Sequence, residues 1–130
     1  MDTSVLVSAF AFGGIPEKVV KKAFLEAEIF VSPALLKEYR EVPIRLESEG
    51  KINHFQMKAL ISGIASFVTR AKIVQPKKEL RLCRDPKDNM VLECCLSARA
   101  DYLISSDRDL LEIEHLPFNL KIINPKKYLD

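Results

Sequence analysis

No stretch of this sequence stays apolar for the roughly 20 residues a membrane-spanning helix requires, because charges or turns break every hydrophobic run. A basic leader is missing too, since Asp2 stands where a secretory signal carries its positive charge. The expectation is a cytoplasmic protein with no membrane segment. Cysteine is scarce: Cys83, Cys94 and Cys95 form an odd set without a C-x-x-C spacing. On a helix the adjacent Cys94 and Cys95 would point about 100° apart, which does not close a shared metal site. They read as buried, reduced thiols, as in an intracellular protein. His54 and His115 are isolated, which argues against zinc. Linkers, internal repeats and low-complexity tracts are absent. Charge of one sign is lacking as well, and a net +2 does not by itself indicate a nucleic-acid partner.

What the chain does have is 130 residues, 48% of them apolar and 29% charged. That composition suits one folded domain over residues 1–130, burying roughly two-thirds of its unfolded surface. Short apolar runs alternate with helical periods, the pattern of βαβ units and a parallel sheet. Helices are expected at 16–27, 33–42, 53–69 and 85–98, with a short one at 107–111. Pro43 is expected to break the second of these, leaving a shorter piece to Glu49. Strands are expected at 29–31, 72–74, 102–105 and 120–123, and a terminal turn at 126–129. Residues 5–7 suit a strand by β-branching and a helix by position, and both remain open.

Four acids stand out by position. On the helix from Pro33, residues Leu35, Leu36, Tyr39 and Val42 form an apolar stripe, and Glu38 is the polar residue nearest it. Glu41 points well away, as a solvated residue would. Asp85 fits an N-cap. Asp88 is different, because Val91, Leu92 and Cys95 follow at i+3, i+4 and i+7. An acid on the inward line of a helix calls for a reason, and a cation is one. Asp107 ends a strand, where ligands gather in open α/β sheets, although it also suits a helix cap. Asp109 reads as solvent-facing and Asp101 as lying at the wrong end of its strand. Asp2 alone carries no signal. Together Asp2, Glu38, Asp88 and Asp107 offer the oxygen ligands that hard divalent cations prefer. Setting these four acids aside raises the remaining charge from +2 to +6. Two basic stretches, Lys18/Lys21/Lys22 and Lys77/Lys78/Arg81/Arg84/Lys87, could contact phosphates, or could be ordinary solvated faces.

At these residues the sequence resembles the PIN domain, in the branch of short prokaryotic, VapC-like toxins of toxin–antitoxin pairs. The matching segments are Asp2-Thr3-Ser4-Val5-Leu6-Val7-Ser8-Ala9, Ser32-Pro33-Ala34-Leu35-Leu36-Lys37-Glu38-Tyr39 and Asp85-Pro86-Lys87-Asp88-Asn89. The last of these continues to Ala100 and the run from Asp101 through Ser105-Ser106-Asp107 to Leu111, and Pro125–Leu129 also fits. The resemblance implies a three-layer α/β/α sandwich around a parallel sheet of strand order 3-2-1-4-5. It implies Mg²⁺ or Mn²⁺ held by Asp2, Glu38, Asp88 and Asp107 as catalytic acids, with Thr3 and Ser105 orienting carboxylates beside them. It further implies endoribonuclease activity on RNA, a cognate antitoxin partner and a homodimer. In the family the first acid ends the central strand; here only Met1 precedes Asp2, so that strand is expected to be truncated. The main competing expectation is a non-catalytic PIN-fold module that binds RNA or a partner. A haloacid-dehalogenase fold would want an acid at position 4, which is serine, and a receiver domain lacks its acidic pair and lysine.

Overall fold

The computed structural model describes every residue, Met1–Asp130. Helices α1 (Thr3–Val7) and α2 (Ile15–Glu26) are joined by a π-helical turn at Ser8–Phe12. Then come β1 (Ile29–Val31), α3 (Pro33–Ser48), α4 (His54–Thr69), β2 (Ala71–Ile73) and α5 (Pro86–Ala98). The chain ends with β3 (Tyr102–Ile104), α6 (Arg108–Leu111), β4 (Lys121–Ile123) and α7 (Pro125–Leu129). The ambiguous opening is therefore helical, and it stops at Gly13 and Gly14, whose positive φ angles of 79° and 73° suit residues without a Cβ. The expected terminal turn closes into the short helix α7, with the Asn124 side chain accepting from Lys127 N–H.

One expectation fails. Pro43 does not end its helix: α3 runs unbroken to Ser48. Proline removes the backbone bond to the carbonyl four residues back, a local cost that packing offsets here. Tyr39, Val42 and Pro43 are all buried, and α3 lies along α4. The Tyr39 hydroxyl also donates to the Met1 carbonyl at 2.9 Å, tying this helix to the start of the chain.

The strands form two parallel ladders, β1 with β2 and β3 with β4, which are not hydrogen-bonded to each other. Val31 C=O accepts from Val74 N–H, and Ser105 N–H donates to Ile123 C=O. Because peptide groups alternate in direction along a strand, those of Phe30 and of Tyr102 and Ile104 face the gap between the ladders. Only Asp2 reaches into it, its N–H donating to Ile104 C=O at 3.0 Å. The rest of the gap is an apolar cleft of about 440 Å³ whose walls include Met1, Ile29, Phe30, Leu35, Tyr102 and Ile104.

The main core lies among α1, α3, α4, α5 and the strands, with Leu6, Tyr39, Leu60, Phe67, Leu92 and Leu103 buried. No single helix is long and apolar enough to cross a membrane. Where α4 meets the π-helical turn, a Cβ on Gly63 would land on the Phe10 ring. Gly63→Ala is therefore expected to destabilise by about 1–3 kcal/mol, the usual cost of overpacking. A denaturation midpoint equal to or above that of the parent would show that Phe10 moves aside freely.

Candidate active site

Local sequence sets each acid in place. Ser32 caps α3 by accepting from Leu35 N–H, with Pro33 at the first helical position, and this phases Glu38 onto the face beside Tyr39 and Val42. Asp85 caps α5 by accepting from Lys87 N–H at 3.0 Å, which brings Asp88 round to the inward side of the first turn. Asn89 steadies the segment ahead of α5, its Oδ1 accepting from the N–H groups of Leu82 and Cys83. Asp107 follows β3 directly and caps α6 by accepting from Asp109 N–H at 2.9 Å.

These placements bring Asp2, Glu38, Asp85, Asp88 and Asp107 to the walls of one open pocket of about 570 Å³, together with Thr3, Ser4 and Ser106. The pocket lies beyond the carboxyl end of β3, where open α/β sheets bind ligands. Asp101, at the other end of that strand, lines the apolar cleft instead. Asp2 and Asp88 are each only 8% exposed, uncommon burial for carboxylates with no basic partner in contact.

Hydroxyl groups hold the acids. Ser105 Oγ is fully buried, donates to Asp2 Oδ2 at 2.7 Å and accepts from Asp107 N–H at 3.0 Å. Thr3 Oγ1 donates to Glu38 Oε2 at 2.8 Å, and Ser4 Oγ to Asp2 Oδ2 at 3.2 Å. Ser105→Ala would leave a buried carboxylate short of a donor, so it is expected to cost about 1–3 kcal/mol. If thermal unfolding shifts by less than a degree, Ser105 does not carry Asp2.

Electrostatics separate Asp88 from the others. Burial first, then the charges of Asp107, Asp85 and Asp2, raise its pKa from the usual 3.8 to about 7, and a hydrogen bond shared with Asp107 adds to this. A cation held beside such a carboxyl group would favour its ionised form. The carboxylates of Asp88, Asp107 and Asp109 come within 4.8 Å of one another, so one ion could bridge them. Asp109 is expected to face solvent. It is exposed, but two residues past Asp107 in the same short helical turn it shares the cluster, and the D-x-D spacing was the available signal. Glu41 is exposed and lies outside the pocket.

The donors are all oxygen. Nearby Cys83 has its thiol pushed up by burial and then by Asp88, and burial drives Cys95 up to about 11. Protonated thiols are poor ligands, so the set suits a hard divalent cation over a soft one. The two basic stretches behave differently. On α2, Lys21 pairs with Glu17, and Lys22 with Glu26 and the Tyr128 carbonyl, away from the pocket. In the second stretch Arg84 faces Asp109 at 3.5 Å and Lys87 faces Glu38 at 4.0 Å.

The PIN domain family model matches residues 1–109, which is most of the chain and contains all of these acids. The chain belongs to the PIN domain family. PIN domains are generally nucleases and generally use divalent metals, and the acid cluster is of the kind such an ion could occupy. The mixed helix and short parallel strands fit the family's α/β fold. Among curated proteins, an uncharacterized protein of Methanocaldococcus jannaschii is 27% identical over 142 aligned positions, covering 100% of this chain and 88% of the relative. No solved structure matches.

Proposed function

We propose that this PIN domain is a Mg²⁺- or Mn²⁺-dependent endoribonuclease. The observation that carries it is the convergence of Asp2, Glu38, Asp88 and Asp107 on one pocket, where burial and the charges of Asp107, Asp85 and Asp2 raise Asp88 to about 7. Those four acids would hold the ion or ions, and Asp109 would add a ligand. When bound, the metal supplies a water activated at neutral pH and charge stabilisation at the phosphate. The chain's own part is to fix the acids: Ser105 and Ser4 orient Asp2, Thr3 orients Glu38, and the N–H of Asp109 orients Asp107.

The two ladders are the outer halves of one parallel sheet in a three-layer α/β/α sandwich, of order 3-2-1-4-5 when the central strand is counted first (β2-β1-central strand-β3-β4), and the apolar cleft is the place of that central strand. An extended Val- and Ile-rich segment fused ahead of Met1 should fill the cleft and raise the melting temperature by several degrees. A fusion that melts no higher would refute that placement.

A toxin role, with RNA as substrate, an antitoxin as partner, a homodimer and a cytoplasmic location, is the biological reading that goes with this site. The endonuclease claim is tested with a closed circular single-stranded RNA, which offers no end to an exonuclease. Linearisation in Mn²⁺ and none in chelator is the expected result. Binding of the circle without any cleavage would instead favour a non-catalytic RNA-binding module.

A further inference from the structure

An acid pocket repels the very polyanion it is proposed to cut, so something beside it must hold phosphate. Among the side chains that line the pocket, two are cationic, Arg45 and Lys87, and they stand on different walls. Lys87 lies in the first turn of α5 beside Asp88, with Nζ 4.0 Å from Glu38 Oε1. Arg45 is seven residues beyond Glu38 on α3, with the pocket-lining Val42 between them, which places all three on one helix face. Two turns of helix put the Cα of Arg45 roughly 10 Å along the axis from that of Glu38.

The guanidinium of Arg45 is free to take a ligand. Its one ion pair runs through Nε to Glu49 at 3.9 Å, longer than a hydrogen bond, and its side chain is 45% exposed. Lys87 is likewise half exposed on its wall. A planar guanidinium is suited to bidentate grip on a phosphate, whereas a lysine ammonium meets it as a point charge.

We infer that Arg45 is a substrate-binding residue that grips a backbone phosphate beyond the scissile one, while Lys87 meets the phosphate at the acids. This rests on the nuclease reading and deepens it: the substrate is a single strand lying along α3, and a dinucleotide is too short to engage both cations. Arg45 lies outside the acid cluster, so it sets affinity and register and leaves the chemical step alone.

The test measures binding of a fluorescent ten-nucleotide single-stranded RNA and of a dinucleotide, in an Asp107→Asn background so that nothing is cut. Arg45→Met should weaken binding of the ten-mer about five- to tenfold and reduce the slope of log K against log salt by about 0.7, the loss of one phosphate contact on a single strand. It should leave the dinucleotide unchanged, and Arg45→Lys should restore the salt slope but only part of the affinity, since the charge returns without the bidentate grip. Lys87→Met should weaken both ligands. In the cleaving protein, Arg45→Met should raise KM with kcat unaltered. An unchanged ten-mer affinity and salt slope for Arg45→Met overturns the inference, and it does so even where the wild-type protein cleaves RNA in Mn²⁺. If the slope falls as expected but wild type never cleaves, the inference stands and the catalytic reading is the one that fails.

Discussion

Replacing Asp88 by Asn is expected to abolish RNA cleavage and, in the same protein, to raise the melting temperature without metal. The two effects share one cause. Asp88 is buried against Asp107, Asp85 and Asp2, and its ionised form is disfavoured up to about pH 7. Asn keeps the shape and removes the charge, so the strain of like charges disappears from the metal-free fold. At neutral pH and above that relief is on the order of 1–3 kcal/mol, which is several degrees in a chain of this length. The small loss of a first-turn acid at the α5 dipole, about 0.3–1 kcal/mol, does not reverse it. Cleavage should fall by more than about 100-fold, the upper end of what losing even an outer partner of a ligand costs. A mutant that is merely less stable, with activity retained, would make Asp88 a helix-terminal acid and nothing more. Glu41→Gln, outside the pocket, should change neither quantity.

Divalent cation should restore what the cluster costs. An ion that binds only the folded chain adds about 2.7 kcal/mol at a hundredfold excess over its Kd. Melting of the wild type should therefore rise by several degrees from chelator to Mn²⁺, and Asp88→Asn should lose most of that rise. The pH dependence follows from the same group. The folded pKa of Asp88 is raised from 3.8 to about 7, so the folded state binds the proton more tightly than the unfolded chain does. Its contribution to stability is fully present below about pH 4 and is lost as pH climbs from there to about 7. The metal-free protein should thus gain from mild acidification within that window, until general acid unfolding sets in. Asp88→Asn should flatten the profile between those limits. Identical wild-type melting in Mn²⁺ and chelator, with no such window, would mean that no metal site exists there.

Much of this was readable from spacing alone. The inward phase of Asp88 shows in Val91, Leu92 and Cys95 behind it, and that of Glu38 in the stripe of Leu35, Tyr39 and Val42; both acids lie at the pocket. Asp85 fits a helix cap by its position in the sequence and caps α5 in the fold, whereas Asn53, read as the first residue of a helix, caps α4 instead. What escaped depended on tertiary packing. Pro43 breaks helices by rule, yet it is buried and α3 continues through it, which no local pattern reveals. Asp109 looks solvated because it is exposed, and only the tight turn of α6 swings it toward Asp88. Arg45 and Ser4 are ordinary in the sequence and become notable once α1 and α3 face each other across the pocket. The separation of the strands into two ladders is also tertiary: β1 and β3 line opposite sides of the apolar cleft, with Asp2 alone bonding into it.

Whether the acid cluster is a metal-dependent ribonuclease centre is decided by the initial rate on a single-stranded RNA. The rate is measured for wild type in Mn²⁺, for wild type in chelator, and for Asp107→Asn in Mn²⁺. Cleavage is expected in the first case and background in the other two, with Asp107→Asn folded by circular dichroism. Cleavage that persists in chelator, or in Asp107→Asn at the wild-type rate, would contradict that role for the cluster.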